Sequence, residues 1–169
     1  MRHIMIIVLA AIVAIAIAVA LMVVDDADDD QNGIENEGQD DGKDVFAMTD
    51  NRITIKAGDA EMSATLCDNS SAEALLSLLK KGDLVVEMND YGDMEKVGPI
   101  GSDLPTNDVR FTTEPGDLVL YQGSMLVIYY DDNTWNFTKL GHIDDLTQTK
   151  LKEILGDGDI TVTLSLQED

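Results

Sequence analysis

The chain has 169 residues, and its 33 acidic side chains against 11 Lys and Arg give a net charge of −22 at pH 7. This balance excludes electrostatic binding to nucleic acid or to anionic lipid head groups, because both kinds of binding need clustered Lys and Arg side chains. Apolar residues make up 44% of the chain, which is ordinary for a folded protein, so the acidity does not indicate disorder throughout. The acidic and the apolar excess are both concentrated at the N-terminal end, which predicts separate segments.

The first segment, residues 1–24, is predicted to be a transmembrane anchor. Every residue from Ile4 to Val24 is apolar, and a helix of this length spans about 32 Å, the thickness of the hydrocarbon core of a bilayer. A cleaved signal peptide is the alternative, since Ala18-Val19-Ala20 fits the small-x-small pattern of a cleavage site, although the apolar run continues past it. Arg2 before the helix and acidic residues after it place the C-terminal part outside the cytoplasm. The cell membrane is therefore a predicted partner, crossed once by residues 4–24.

Residues 25–44 are predicted to be an acidic disordered linker. They carry ten acids and one Lys, a net charge of −9, interleaved with glycines and amides. Such a composition cannot bury enough apolar surface to offset the entropy that is lost on ordering. The run Asp28-x-Asp30-x-Asn32 has the spacing of half a calcium loop, but Gln39 stands where that loop needs a bidentate Glu, which disfavours a calcium site.

Residues 45–169 are predicted to form one exported domain, mainly β, with a net charge of −14. Alternating apolar residues bounded by turn residues predict strands at 53–56, 61–66, 84–88, 118–121, 125–130, 135–140 and 160–166. One helix is expected after the N-cap residues Asp68 and Asn69, and a second over residues 145–155. Residues 89–115 are expected to be irregular, because Gly and Pro are frequent there. These elements together indicate a closed β-barrel or a sandwich whose ends the helices cover.

The domain offers few groups for metal or nucleophilic chemistry. Cys67 is the only cysteine of the chain, so no disulfide can form within it, and we expect a small buried core residue. His142 is the only histidine of the domain, which leaves too few nitrogen and sulfur ligands for zinc. The sequence contains no glycine-rich phosphate loop and no serine nucleophile motif. We therefore expect no metal, no cofactor and no catalytic residue.

Six short motifs, taken in chain order, resemble those of the small cyclophilin-like domain family of bacteria and archaea. The resemblance runs from about residue 53 to residue 166 and rests on Thr65-Leu66-Cys67-Asp68-Asn69, Asn89-Asp90-Tyr91-Gly92, Glu95-Lys96-Val97-Gly98, Leu104-Pro105-Thr106-Asn107-Asp108, Pro115-Gly116-Asp117-Leu118 and Leu140-Gly141-His142-Ile143. It implies a mainly β fold, a cyclophilin-like eight-stranded closed barrel with two capping helices, here preceded by one transmembrane helix. Cys67 replaces the usual aromatic residue of the family, and Asp93 replaces the second of its usual paired glycines.

The resemblance also bears on prolyl isomerase activity and on the histidine of the domain. True cyclophilins place an Arg on the strand after the first helix, where it donates to the prolyl nitrogen and weakens the amide resonance. The corresponding strand here, Leu84 to Met88, has no Arg, and the arginines of the domain are Arg52 and Arg110. For His142 the family pattern implies an outward strand end, and hence a solvated side chain rather than an imidazole paired with a carboxylate.

We therefore expect a binding module for a small molecule or an extended peptide, with a divergent peptidyl-prolyl isomerase acting on exported proteins as the alternative. The candidate ligand-binding residues are aromatic, charged or amide side chains in and around the irregular stretch: Tyr91, Glu95, Lys96, Asn107, Asp108, Tyr121 and Trp135. In a second interpretation, Asn107 and Asp108 form hydrogen bonds within the loop, and Tyr91 and Trp135 belong to the core. An Arg110 side chain beside Trp135 would favour the isomerase.

Overall fold

A computed structural model describes residues 46–167, so the predicted anchor and the predicted acidic linker lie outside the described residues. Within residues 46–167 no helix is long and apolar enough to cross a membrane. This part of the chain is mainly β, as predicted. It contains nine strands and two helices in the order β1 (Met48–Ala57), β2 (Ala60–Cys67), α1 (Ser70–Leu79), β3 (Leu84–Tyr91), β4 (Glu95–Pro99), β5 (Val109–Thr112), β6 (Asp117–Tyr121), β7 (Met125–Tyr129), β8 (Thr134–Ile143), α2 (Gln148–Leu155) and β9 (Ile160–Leu166).

Eight antiparallel strands close into a barrel, which confirms the expected architecture. Neighbouring strands follow the order β2-β1-β9-β3-β4-β7-β6-β8, and β8 returns to β2. This closure is made by three residue pairs, Ala64 with Ile143, Thr65 with His142 and Leu66 with Gly141. β5 is a ninth strand outside the ring, and it pairs with the first residues of β8.

The expectation of an irregular stretch over residues 89–115 is wrong. β3 continues to Tyr91, and both β4 and β5 lie within the stretch. β4 has the sequence Glu-Lys-Val-Gly-Pro, in which only Val97 favours a strand, so local propensity gives no indication of it. Its conformation is imposed by its partners, because it pairs with β3 on one side and with β7 on the other. Gly98 permits this close approach, since a Cβ there would lie 2.3 Å from the carbonyl oxygen of Glu87.

Apolar side chains that alternate with outward ones fill the barrel interior. Ile53 and Ile55 of β1 are fully buried, and Leu75 of α1 and Leu151 of α2 pack against the same core. Each such side chain contributes about 1.5–3 kcal/mol when it is withdrawn from water. α1 begins after Asn69, whose side chain accepts a hydrogen bond from a backbone N–H of the first turn, as an N-cap does.

A second apolar cluster lies on the outward face of β6, β7 and β8. Along β6 and β7 consecutive residues are buried, so these strands are covered on both faces. Four aromatic rings form the centre of this outer aromatic cluster, namely Phe46, Phe111, Tyr129 and Phe137. Their centroids are 4.7 Å apart for Phe46 and Phe111, 5.7 Å for Phe111 and Phe137, and 5.6 Å for Tyr129 and Phe137. β5 therefore contributes Phe111 to this cluster, and within residues 46–167 only one of its two edges is paired, with β8.

Candidate functional site

Large apolar side chains remain exposed beside the outer aromatic cluster. Trp135 of β8 is 59% exposed, and Tyr121 of β6 and Val109 of β5 are each 40% exposed, so none of them is a core residue. Trp135 is the register partner of Phe111, and Val109 that of Phe137. Because cross-strand partners share a face, Trp135 and Val109 lie on the same face as the cluster. We call Val109, Tyr121 and Trp135 the exposed rim.

Two other candidate residues, Tyr91 and Glu95, are cross-strand partners away from the exposed rim. Glu95 also pairs with Tyr129 at one end of β7, whereas Tyr121 pairs with Met125 at the other end, so the two groups occupy opposite ends of one outward face. The side chain of Tyr91 is 53% exposed and is not in the core. Burial raises the pKa of Glu95, and a hydrogen bond with Tyr129 offsets part of this rise.

The side chain of Lys96 is fully buried and is not available at the surface. Its ammonium group donates to a carboxylate oxygen of Asp90 at 2.6 Å and to the carbonyl oxygens of Gly156 and Gly158, each at 2.8 Å. The Tyr130 hydroxyl donates to the same carboxylate. Desolvation tends to raise the pKa of Asp90, but the hydrogen bonds from Lys96 and Tyr130 hold it below its usual value. All three ammonium donors are used, and the network ties β3 and β4 to the loop between α2 and β9.

Asn107 and Asp108 form hydrogen bonds within the domain, as the second interpretation of the sequence has it. The Asn107 amide group donates to the hydroxyls of Ser70 at 2.9 Å and Ser71 at 2.7 Å, at the start of α1. The backbone N–H of Asn107 donates to the Thr138 hydroxyl, which in turn donates to Asp108. These contacts tie the segment before β5 to α1 and β8.

The buried carboxylate of Asp117 contacts two side chains of β8, those of Lys139 and His142. Asp117 is 1% exposed, and its Oδ1 lies 2.8 Å from Nδ1 of His142 and 2.7 Å from Nζ of Lys139. The expectation of a solvated His142 is therefore wrong, because its ring is only 35% exposed and is held by a carboxylate from another strand. Desolvation tends to raise the pKa of Asp117, but the contacts with His142 and Lys139 and the N–H of Glu114 hold it below its usual value.

We expect the substitution Asp117→Asn to destabilise the domain at neutral pH and to matter less in acid. Because the pKa of Asp117 is lowered on folding, its carboxylate contributes stability above the usual Asp pKa of about 4, and this contribution is lost as the pH falls through the lowered pKa. The difference in free energy of unfolding between wild type and variant, measured in urea, should shrink as the pH falls. Glu153→Gln is the control, since Glu153 is 61% exposed. A difference that is constant over the whole pH range would contradict this role of Asp117.

Groups for thiol or metal chemistry are few in the described part of the chain. Cys67 is 2% exposed, which confirms a buried residue, and its Sγ lies 3.6 Å from the sulfur of Met48. Burial raises the pKa of its thiol to about 11, so the thiol is protonated at neutral pH. Among residues 46–167 no group of three His, Cys, Asp or Glu side chains is placed to hold a metal ion.

Sequence reasoning missed the outer aromatic cluster and the group around Asp117. The sequence does contain one signal of the cluster. Residues 118–121 and 125–130 are unbroken apolar runs, and such runs are typical of strands that are buried on both faces. The outward face of these strands packs against Phe111 of β5, and β5 has only four residues, too few for a recognisable strand pattern. The contact between Asp117 and His142 joins residues 25 positions apart, so no local pattern announces it.

The chain is similar to a known family and to a solved structure. Residues 55–165 match the profile of the cyclophilin-like family. The solution structure of a hypothetical protein from Archaeoglobus fulgidus matches with a TM-score of 0.49 and 16% sequence identity, over 69% of this chain and 95% of that one. No curated protein matches the chain.

Proposed function

Since the chain belongs to the cyclophilin-like family, we propose that it is a membrane-anchored, extracytoplasmic binding module that recognises a small molecule or an extended peptide and has no catalytic activity of its own. The location is supported by the apolar run from Ile4 to Val24, by Arg2 before it and by the acidic residues after it. We expect an intact chain of 18.4 kDa in the membrane fraction. A soluble chain shortened by about 20 residues would indicate a cleaved signal peptide instead.

The exposed rim is the observation that carries the binding function. Trp135 and Tyr121 present apolar area on strands of the closed barrel, and Val109 does so on β5, which pairs with β8, so all three are held in place before any ligand arrives. Preorganised side chains lose little conformational entropy on binding, and aromatic ones contribute a large contact area with few torsions. Neighbouring exposed apolar side chains on one face are typical of a recognition surface.

Trp135 makes the rim directly observable, because it is the only tryptophan of the chain. In detergent micelles the full chain should show the long-wavelength emission of an exposed indole, and a bound metabolite or short peptide should shift it to shorter wavelength and protect it from acrylamide. The substitution Tyr121→Ala should weaken that binding about tenfold. Val85→Ala is the matched control, since Val85 is 61% exposed on β3 and should leave the affinity unchanged. Equal affinities in the two variants would contradict a site at the rim.

The alternative function, a divergent peptidyl-prolyl isomerase, needs a cation that donates to the prolyl nitrogen of the bound peptide. Arg110 is the candidate for this role, and its position tests the alternative. Arg110 pairs with Asn136, and its neighbour Phe111 pairs with Trp135. Because successive residues of a strand point to opposite faces, Arg110 lies on the face away from Trp135, which supports binding without catalysis. In a protease-coupled prolyl-peptide assay we expect rates equal to those in buffer. A catalysed rate that is lost in Arg110→Ala would establish the isomerase instead.

A further inference from the structure

We propose that the ligand of this module is an extended polypeptide segment rich in Lys or Arg, which adds as a strand to the open edge of β5. This inference rests on the proposed function and names its ligand class. β5 is the last strand in the sheet order, and within residues 46–167 it pairs with β8 alone. Three of its four residues, Val109, Arg110 and Thr112, are exposed. The edge is therefore accessible in the described part of the protein.

Some backbone groups of β5 point to this edge and have no partner among residues 46–167. The N–H of Thr113 donates to the carbonyl of Asn133 at 2.8 Å, so these two residues form a hydrogen-bonded pair of the antiparallel ladder. Such pairs alternate along a ladder, so Arg110 and Thr112 belong to the non-hydrogen-bonded pairs, and their N–H and C=O groups point away from β8. The 2.7 Å contact between the hydroxyls of Thr112 and Thr134 agrees, since side chains lie closest in such pairs. Unpaired groups on an exposed edge are a template for an added strand.

The charge around β5 selects a cationic segment. The exposed charged side chains among residues 101–135 are four carboxylates, Asp103, Asp108, Glu114 and Asp132, against Arg110. Lys139 lies over the ring of Phe111, but its charge is paired with the buried Asp117. Glu114 follows β5 and Asp132 precedes β8, and both are exposed at the surface. Residues 25–44, with a net charge of −9, precede the domain in the chain and add to the negative charge of the protein. Opposite charges attract the segment and steer its approach.

The exposed rim adds side-chain recognition to the backbone pairing. An added strand would lie about 4.8 Å from β5, with alternate side chains on the face that carries Val109 and Trp135. Val109 offers an apolar contact to such a side chain. The aromatic face of Trp135, on the neighbouring strand β8, suits the ammonium or guanidinium group of a long side chain through cation–π attraction. Apolar and cationic side chains together therefore fit this surface best.

The test uses the full chain in detergent micelles, the emission of Trp135, and capped peptides of about nine residues in which Lys alternates with Val. One companion peptide has Glu in place of Lys, and another has every backbone nitrogen methylated, so that it cannot pair with a strand. Thr112→Pro removes the N–H at the open edge, and Thr112→Val is its matched control because it removes only the hydroxyl. Proline is tolerated at an edge position whose N–H faces outward, and circular dichroism checks the fold.

We expect the Lys peptide to shift the emission of Trp135, with an affinity that falls as the ionic strength rises. The Glu peptide, the methylated peptide and Thr112→Pro should each weaken binding by about tenfold or more, and Thr112→Val should not. Equal binding of the Lys and Glu peptides, or of the methylated and unmethylated peptides, would overturn the inference. A dimer that dissociates in Thr112→Pro would assign the edge to a second copy of the chain. Should small metabolites shift the emission while the Lys peptide does not, the inference fails and the binding module stands; should nothing shift it, both fail.

Discussion

The substitution Lys96→Met should lower the free energy of unfolding by about 3–5 kcal/mol, as is usual when one partner of a buried ion pair is removed. The ammonium group of Lys96 is fully buried and donates to Asp90 and to two backbone carbonyls, those of Gly156 and Gly158. Without it, the carboxylate and both carbonyls lose a charged donor in a place that water reaches poorly. Urea denaturation of the full chain in micelles measures the loss.

Two variants show whether that loss comes from the uncompensated charge. Lys150→Met removes an exposed partner of Glu153 at 3.2 Å, and it should cost less than about 1 kcal/mol. Adding Asp90→Asn to the Lys96 variant removes the unpaired carboxylate and should restore part of the stability. A Lys96→Met protein as stable as Lys150→Met would show that the buried network contributes nothing.

The substitution Gly141→Ala is expected to destabilise the barrel by about 3 kcal/mol or more, because overpacking against backbone leaves no flexible group to move aside. A Cβ at this position would lie 2.4 Å from the carbonyl oxygen of Thr65 and 3.1 Å from Cα of Leu66. Both residues belong to the three pairs through which β2 and β8 close the ring. The added methyl group therefore pushes apart the strands that complete the barrel.

Gly58→Ala is the control for the loss of a glycine as such. Gly58 has a φ of +58° in the turn between β1 and β2, and a Cβ there meets no atom within 4 Å. It should cost only the strain of a left-handed backbone, about 1–2 kcal/mol. Thermal unfolding of both variants gives the comparison, and a Gly141 variant that melts at or above the temperature of the Gly58 variant would contradict the steric argument.

The parts of the fold that local sequence determines could be predicted, as α1 and α2 show. The Asn69 side chain caps α1 as expected, and α2 ends before Gly156 as its sequence indicates. α2 begins later than the predicted residue 145, since Asp145 has a φ of +54° and the N-cap is Thr147. Ser, Thr, Asn and Asp compete for capping positions, so a series of polar residues does not define one boundary.

The candidate site was less predictable, because its residues depend on contacts between distant strands. Trp135 and Tyr121 are aromatic residues near the irregular stretch of the sequence, and both are exposed on the outward face beside the aromatic cluster. Lys96 belongs to the same stretch but is buried, because Asp90 and a loop some 60 residues later enclose its ammonium group. A charged side chain that satisfies all its donors inside the fold looks, in sequence, like any surface lysine.

The position of β9 has a consequence for the order in which the protein can fold. β9 is the last strand along the chain, yet it lies between β1 and β3 and pairs with both. When the domain emerges from a ribosome or a translocation channel with its N-terminal strands first, β1 and β3 have no common neighbour until Ile160–Leu166 arrive. The ring therefore cannot close before β9 has been delivered, so the last strand of the domain completes the barrel.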